Sequence, residues 1–251
     1  MAGDWKRELS VVVPAYNEAG RIADTLRRID SYLQARGLAS ELLVVDDGST
    51  DGTAEVVRRL TAELATPLVL VSSAPNRGKG HAVKAGVLRA CGRAVLLSDA
   101  DLSTPIEELG KLRACVANGA QVAIASRKMP GAVIEVRQPF VREAMGRVFT
   151  FLTRLVIVPV SDATCGFKLF SHEAAAAIFS RLRLTDWSFD AEALFLASRL
   201  GFRIHEVPVR WSDAAGTKVH RGRDAVRAAL GLARIRLNAA RGLYVLPARP
   251  R

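Results

Sequence analysis

Short apolar runs alternate with helical periodicity along the first half of the chain, and this alternation predicts the order of strands and helices. The runs are apolar at consecutive positions, which is typical of strands buried on both faces. They begin at Leu9, Leu42, Val69, Ala94 and Val122. Between them, apolar residues recur three or four positions apart, which predicts helices over about residues 20–36, 53–64 and 79–89, and a fourth from Pro105 with Thr104 as its N-cap.

The second half of the chain predicts fewer strands and ends in a basic helix. In order, we expect a loop over 127–139, a long helix, a strand over 166–170, a helix over about 190–200 and a strand over 204–209. The last segment, Arg223–Ala240, alternates apolar residues with arginines, as an amphipathic helix does. No repeat or low-complexity linker interrupts the chain, so the simplest division is one α/β domain over residues 1–211 and a basic C-terminal helical extension over 212–251.

Strands separated by helices predict a mostly parallel central sheet with helices on both faces, an α/β arrangement of the Rossmann-like, nucleotide-binding kind. In such sheets, ligands bind at the carboxyl ends of the strands. Polar side chains follow the predicted strands at that edge: Tyr16, Asp46, Asp47, Asp99 and Asp101. We therefore expect the functional site to lie there.

Composition and charge narrow the possible partners. The 251 residues are 49% hydrophobic and 24% charged, as in ordinary globular proteins. The net charge of +11 suits nucleic acid, an anionic membrane surface or phosphorylated substrates, although a solvated arginine-rich surface would give the same figure. Residues Met1–Glu8 are polar and no run of about 18 apolar residues occurs, so we expect neither a signal peptide nor a transmembrane helix. Three cysteines without a CxxC pair favour a cytoplasmic protein without zinc.

Asp99-Ala100-Asp101 directly follows a predicted buried strand and is the first candidate for metal chemistry. In an extended segment, residues two apart point to the same side, so both carboxylates can approach one cation. Mg²⁺ and Mn²⁺ favour such oxygen ligands together with substrate phosphates. The same short motif also occurs in turns and helix caps, and its position at a strand end is what favours the metal.

Three other segments carry polar residues suited to a nucleotide. The carboxylates of Asp46-Asp47-Gly48-Ser49 can bind a base or a ribose, or they can build the turn, which is the role we expect for Asp51. Pro14-Ala15-Tyr16-Asn17-Glu18 offers an aromatic ring and a carboxylate. Asn76-Arg77-Gly78-Lys79-Gly80-His81 combines glycines with cations before a helix, as phosphate sites do, but does not match the P-loop pattern.

Together these segments resemble family 2 glycosyltransferases, which are inverting enzymes of the GT-A fold. The resemblance covers nearly the whole chain and continues through Ser126-Arg127 and the segments at 162–170, 187–192 and 206–211. These later segments are similar to the polyprenyl-phosphate branch, and most similar to dolichyl-phosphate β-glucosyltransferases. The resemblance implies transfer of a hexose, most directly glucose from UDP-glucose, to a polyprenyl or dolichyl phosphate, with Mg²⁺ or Mn²⁺ as cofactor.

The resemblance also implies a role for each matching residue. The nucleotide-sugar donor would be bound by Pro14, Tyr16, Glu18, Asp46, Asp47, Lys79, Asp99 and the backbone of Ala100. The metal ion would be held by Asp99 and Asp101, and the acceptor phosphate would be clamped by Arg127, Arg137 and Arg142. The residues closest to the reaction would be Asp101, Arg127 and Asp190. We expect Asp190 to position acceptor or donor, with base catalysis or an N-cap role as the alternatives.

In the family that this chain resembles, the eukaryotic glucosyl enzymes carry an N-terminal membrane anchor and many bacterial relatives carry C-terminal spans; we expect neither here. The basic C-terminal helix is instead expected to hold the protein peripherally on the cytoplasmic, anionic membrane surface, unless it only packs on the domain. Alternative functions are a polyprenyl-phosphate mannosyltransferase using GDP-mannose, and a soluble family 2 transferase acting on a sugar hydroxyl, with Asp190 as an essential base. A non-enzymatic nucleic-acid-binding module is supported by the charge alone, and we expect no nucleic acid partner.

Overall fold

The computed structural model describes residues 5–136, 140–213 and 221–244; the side chains of residues 140–142, 144, 145 and 221–229 lie outside that description. The strands are β1 Leu9–Ala15, β2 Ser40–Asp47, β3 Leu68–Ser73, β4 Ala94–Leu97, β5 Val122–Ser126, β6 Val133–Val136, β7 Lys168–Ser171, β8 Ile204–Pro208 and β9 Arg210–Ser212. The helices are α1 Ile22–Ala35, α2 Thr53–Leu60, α3 Lys79–Val87, α4 Leu109–Ala117, α5 Phe140–Val156, α6 His172–Arg181, α7 Phe189–Arg199 and α8 Arg221–Ala240.

Seven strands form one sheet in the order β3-β2-β1-β4-β7-β5-β8. The pairs β1–β2, β2–β3, β1–β4 and β5–β8 are parallel, whereas β7 runs antiparallel between β4 and β5. The predicted α/β fold with a mostly parallel sheet is therefore confirmed. Because β1 has β2 on one side and β4 on the other, the chain reverses its direction of winding at β1. The segments that follow these three strands open at one edge, where ligands bind in sheets of this type.

The sheet is covered on both faces because its strands are apolar at consecutive positions. Val11 and Val13 of β1 point into a core layer shared with α1 and α2, and Val12 points into the opposite layer, with α3, α6 and α7. Successive side chains of a strand point to opposite faces, so one apolar run contributes to both layers. This two-sided packing holds the strand ends, and hence the loops after them, in fixed positions.

Three local predictions differ from the structure. The expected loop over 127–139 contains β6, whose Val133-Ile134 pairs in parallel with β9, and three of its four residues are β-branched, which favours an extended backbone. Thr104 does not cap a helix: a short 3₁₀ turn starts at Ile106, and the Thr104 hydroxyl contacts the Cys165 sulfur at 3.5 Å. The second helix ends at Leu60 rather than at residue 64, and residues 61–63 form a turn.

The C-terminal helix packs on the rest of the molecule. α8 contacts α5 and α7, and its Leu232 and Ile235 are buried in the same core layer as Val12 of β1. The division of the chain at residue 211 remains a prediction. Within the described residues, no helix combines the length and the apolar character needed to cross a membrane.

Candidate active site

The loops after β1 and β2 are bound to each other. Asn17 has a left-handed backbone (φ 54°), and its Oδ1 accepts a hydrogen bond from the Thr50 backbone N–H at 2.8 Å. The Asn17 backbone N–H in turn donates to Ser49 Oγ at 2.8 Å. Asp51 accepts bonds from the backbone N–H groups of Ala19 and Thr53, both at 3.0 Å, so the turn-building role predicted for it is confirmed. These bonds fix the end of β1 relative to the end of β2.

Asp46 and Asp47, at the end of β2, are buried and make different contacts. Asp46 Oδ1 accepts from the Ser49 N–H at 3.2 Å, which closes the turn. Asp47 accepts from the backbone N–H groups of Arg77 and Gly78, the latter at 2.7 Å. Asp47 therefore holds the loop before α3 in place. Nucleoside binding by these two carboxylates remains a prediction.

The sequence predicted that Asp99 and Asp101 lie on an extended segment, and this is wrong: they lie on a tight turn. β4 ends at Leu97, and the Leu102 N–H donates to the Asp99 carbonyl at 3.2 Å. Leu102 has a φ of 46°, an unusual value for a residue with a branched side chain. Asp101 Oδ1 accepts from the Ser103 N–H at 2.9 Å, and the Ala100 carbonyl accepts from the Thr25 hydroxyl at 2.7 Å. The turn brings both carboxylates to the end of β4.

Asp99 forms an ion pair with Lys79 from the start of α3. Lys79 Nζ lies 2.6 Å from Asp99 Oδ1 and 4.8 Å from the centre of the Trp187 ring. Burial opposes the charge of Lys79, but Asp99, Asp190 and Asp101 outweigh it and raise the lysine pKa. Burial likewise opposes the charge of Asp99, but Lys79 prevails and lowers its pKa. Both groups are therefore charged at neutral pH.

Gly166 leaves the room that Asp99 occupies. A Cβ atom at residue 166 would lie 2.0 Å from Asp99 Oδ2, a distance no side chain tolerates. The Cys165-Gly166 segment thus forms a wall of the site, and any larger residue at 166 would displace the carboxylate.

A second, fully buried ion pair lies next to the first. Asp190, on the first turn of α7, accepts from Lys168 Nζ at 2.6 Å, and Lys168 also donates to the Cys165 carbonyl. Burial raises the pKa of Asp190 despite the two lysines nearby. The alternative that Asp190 caps α7 is wrong, because Ser188 occupies the N-cap position and the Asp190 side chain faces Lys168.

Arg127 forms a third ion pair, at the end of β5. Its Nε and Nη2 atoms contact the two carboxylate oxygens of Asp162 at 2.6 and 2.8 Å, and Nη2 also donates to Thr164 Oγ1 at 2.8 Å. Asp162 is fully buried, and although burial opposes its charge, Arg127 holds its pKa well below the usual range. The guanidinium also lies 5.3 Å from the Trp211 ring. These contacts use the Nε and Nη2 atoms of Arg127.

The remaining predicted residues have different positions. Pro14 is the sixth residue of β1, and Tyr16 follows the strand with a partly exposed ring. The Glu18 carboxylate pairs with Arg21. Arg137 lies outside the described residues, and so does the side chain of Arg142. Their assignment to the acceptor clamp stays a prediction.

The Asp99–Asp101 turn fits a hard divalent cation whose coordination sphere is completed by substrate. Among the described residues, no group of three or more His, Cys, Asp or Glu side chains forms a metal site. Two carboxylates at the open edge of a sheet are nevertheless the protein share that Mg²⁺ commonly uses, with phosphate oxygens and water in the other positions. Since Lys79 pairs with Asp99, an ion at this turn would share or replace that contact.

Sequence patterns missed the partners of the predicted charges. Lys168 and Asp162 both lie in the segment 162–170 named above, but nothing in local spacing shows that they neutralise Asp190 and Arg127. Trp187, which covers Lys79, was missed for the same reason. The one signal in the sequence is the lysine at the start of a short apolar strand. Such a lysine is expected to be buried, and a buried charge requires a partner.

Comparison with known proteins places this site in context. The sequence matches the family model described as Glycosyl transferase family 2 over residues 10–179. The dolichyl-phosphate beta-glucosyltransferase of Dictyostelium discoideum is 32% identical over 248 residues, covering 94% of this chain and 76% of that protein. That of Drosophila melanogaster is 37% identical over 229 residues, covering 84% and 69%.

A solved structure shows the same fold. Glucosyl-3-phosphoglycerate synthase from Mycobacterium tuberculosis, in complex with Mn²⁺, UDP-glucose and phosphoglyceric acid, aligns with a TM-score of 0.68 at 20% identity and covers 94% of this chain and 83% of that chain. The expected GT-A architecture is thereby confirmed.

Proposed function

Since the chain belongs to glycosyl transferase family 2 and is a glycosyltransferase, we propose that it transfers glucose from UDP-glucose to a polyprenyl phosphate such as dolichyl phosphate. The observation that carries this proposal is the convergence of three ion pairs at one sheet edge. Asp99 interacts electrostatically with Lys79, Lys168 and Arg127, so a carboxylate suited to a metal–diphosphate lies near a guanidinium suited to a second phosphate. The names of the relatives support the choice of sugar and lipid.

The donor side follows from the loops after β1, β2 and β4. We assign the nucleoside to Pro14, Tyr16, Glu18, Asp46 and Asp47, and the diphosphate to the Asp99–Asp101 turn and Lys79. Mg²⁺ or Mn²⁺ held by Asp99 and Asp101 would neutralise the charge on the departing nucleoside diphosphate. Lys79 at the start of α3, whose raised pKa keeps it protonated, can also neutralise charge on the departing diphosphate.

The acceptor side follows from Arg127. A phosphate monoester is largely dianionic at neutral pH, because its second pKa is about 6. Its oxygen attacks the anomeric carbon from the face opposite the leaving group, the bond from that carbon to the UDP oxygen breaks, and UDP leaves with the electron pair. No proton needs to be removed, so the protein must mainly align the two substrates. Arg127, locked by Asp162, is preorganised for that alignment.

The contacts of Asp190 favour a positioning role over base catalysis. Asp190 is 4% exposed, and its carboxylate is paired with Lys168, an arrangement that orders the site wall rather than one that receives a proton. The competing soluble transferase that acts on a sugar hydroxyl needs Asp190 as a base. The competing mannosyltransferase needs GDP-mannose as donor.

Peripheral binding to an anionic membrane is part of the proposal, because the acceptor is a lipid and the net charge is +11. Each cation close to an anionic surface contributes about 1 kcal/mol.

An assay panel tests the proposed function. UDP-glucose, UDP-galactose, UDP-GlcNAc and GDP-mannose are each incubated with a short polyprenyl phosphate in detergent, with Mg²⁺, Mn²⁺ or EDTA. We expect lipid-linked glucose from UDP-glucose, loss of turnover with EDTA, and a fall of about 100-fold or more for Asp101→Asn. Asp24→Asn on the exposed face of α1 is the matched control. Preference for GDP-mannose, or transfer to a sugar hydroxyl alone, would establish a competing function.

A further inference from the structure

The outer face of α5 carries a stripe of large apolar side chains that the fold leaves exposed. Val148, Phe151 and Leu155 are 61%, 65% and 70% exposed. Spacings of three and four residues place them on one side of the helix. The opposite side, with Phe149, Leu152 and Thr153, packs on the core. α5 therefore has an apolar outer face in addition to the inner face that folding requires.

Basic residues border this stripe. Arg154 is exposed at its edge, and Arg147, also exposed, pairs with Glu143. The adjacent helix α8 adds the exposed Arg234 and Arg236. Apolar side chains next to arginines on a helix are the pattern of an element lying in the headgroup region of an anionic bilayer.

The inner side of α5 is joined to the site of Arg127. Lys128, the next residue, extends its Nζ to the Gly146 carbonyl at 3.2 Å and to the Thr150 hydroxyl of α5. Burial lowers the pKa of Lys128. The stripe thus lies on the outside of a helix that contacts the segment proposed to bind the acceptor phosphate.

We propose that Val148, Phe151 and Leu155 of α5 insert into the interface of an anionic lipid bilayer. This rests on the proposed function: a polyprenyl tail must stay in the bilayer while its phosphate reaches Arg127, so the membrane has to lie beside that residue. The expectation from sequence assigned the contact to α8, but Leu232 and Ile235 of that helix are buried in the core. Among the apolar side chains of α8 from residue 230 onward, Leu230 and Leu237 are exposed and can form the edge of the same surface.

A bilayer fits this surface better than a second copy of the chain. In a symmetric dimer, the same patch would face itself, and the arginines around it would meet like charges in a protein of net charge +11. An anionic leaflet offers the opposite charge to every one of these arginines.

Vesicle binding tests the proposal. The full chain is sedimented with vesicles of phosphatidylcholine and phosphatidylglycerol in equal parts, and with vesicles of phosphatidylcholine alone. We expect binding to the anionic vesicles that weakens with added salt, and a loss of roughly tenfold or more in the combined variant Val148→Ser, Phe151→Ser, Leu155→Ser. The matched control, Val69→Ser with Leu88→Ser, alters side chains 44% and 49% exposed elsewhere and is expected to bind like the wild type.

Transfer assays separate this proposal from the proposed function. The α5 variant is expected to lose transfer to a long acceptor embedded in vesicles and to keep transfer to a short acceptor in detergent. Equal vesicle binding by the α5 variant and the wild type overturns the α5 surface, and so does a larger loss of binding in Leu230→Ser with Leu237→Ser than in the α5 variant. A wild-type dimer that the α5 variant converts to a monomer, without vesicle binding, also overturns it. Absence of transfer in detergent by the wild type would instead contradict the proposed function.

Discussion

At the scale of single residues, the Lys168–Asp190 pair is the most consequential contact of the site. Both side chains are almost wholly removed from water, and the pair forms the wall next to Lys79 and Asp99. Breaking a buried pair by removing one partner costs about 3–5 kcal/mol, because the other charge stays buried. Replacing both partners removes that penalty, so stability and function can be separated.

We predict that Lys168→Met lowers the free energy of unfolding by about 3 kcal/mol or more, since Asp190 loses its counter-charge. The double variant Lys168→Met, Asp190→Leu should regain most of that stability in urea unfolding. It should still lack transferase activity, because neither residue then orders the site. Full activity in the double variant would show that the pair serves folding alone.

Arg127 and Asp162 form a pair whose effect depends on pH. The folded-state pKa of Asp162 is lowered, so its contribution to stability is complete above the unfolded pKa of about 3.9 and is lost as the pH falls through the folded value. Asp162→Asn should cost about 3 kcal/mol at pH 7. That cost should shrink as urea unfolding is repeated at progressively lower pH. Asp24→Asn, exposed on α1, should show a small difference that changes little.

At the scale of elements, α8 packs closely against the segment before α7 at Gly231. A Cβ atom on Gly231 would lie 2.0 Å from the oxygen and 2.4 Å from the Cβ of Ser188. Ser188 follows Trp187, whose ring covers Lys79, and precedes the α7 turn that carries Asp190. The C-terminal helix therefore packs against the segment that positions Trp187 and Asp190.

We predict that Gly231→Ala displaces Ser188 and costs about 1–3 kcal/mol of stability by overpacking. The displacement should raise the KM for the nucleotide-sugar, because Trp187 moves with the segment and its ring contacts Lys79. In a Ser188→Gly background the clash is absent, so the double variant Gly231→Ala, Ser188→Gly should have the same stability and KM as Ser188→Gly alone.

Gly146→Ala on α5 is the matched control for this prediction, since an added Cβ there meets nothing within 4 Å. It should leave KM unchanged and stabilise the protein by up to about 1 kcal/mol through helix propensity. A Gly231→Ala enzyme with unchanged KM would show that α8 does not position the site.

The elements differ in how far sequence predicts them. Runs such as Ala94–Leu97 identify strands because burial on both faces requires apolar residues at every position. The direction of β7 cannot be predicted in the same way. The composition of Lys168–Ser171 fits a parallel strand as well as an antiparallel one, and the structure shows it antiparallel to β4. β6 escaped prediction because its pairing with β9 joins residues far apart in the chain.

The site was predictable to the level of residue type and sheet edge. Asp99 and Asp101 follow β4 as expected, but the left-handed Leu102 that turns them together is a tertiary effect without a local signal. Partners such as Asp162 for Arg127 depend on contacts across 35 positions. For Asp190 and Arg127, motifs therefore name one member of the ion pair and packing supplies the other, whereas both members of the Asp99–Lys79 pair lie in predicted segments.

At the scale of the whole molecule, the end of the chain closes on the helix that carries Asp190. The Tyr244 hydroxyl donates to Glu192 Oε1 at 2.5 Å, and Glu192 Oε2 accepts from the N–H groups of Arg183 and Leu184, at 3.0 and 2.7 Å. Burial raises the pKa of Glu192, and burial with the neighbouring carboxylate raises that of Tyr244. One fully buried carboxylate thus joins α7, the segment before it and the residues after α8.

We predict that Tyr244→Phe lowers the free energy of unfolding by about 1–3 kcal/mol, because a buried carboxylate oxygen loses its donor. The ring still packs on Phe195, whose centroid lies 6.0 Å away, so the loss reports the hydroxyl. Since the folded pKa of Glu192 is already raised, losing the donor raises it further. The cost of the substitution should therefore be largest at pH values where Glu192 is ionised and should decrease as the pH falls and Glu192 becomes protonated. Urea unfolding at several pH values measures this, with Tyr32→Phe, whose ring lies 5.2 Å from the Arg36 guanidinium, as control. A cost that stays constant with pH would show that the hydroxyl does not act through the charge of Glu192.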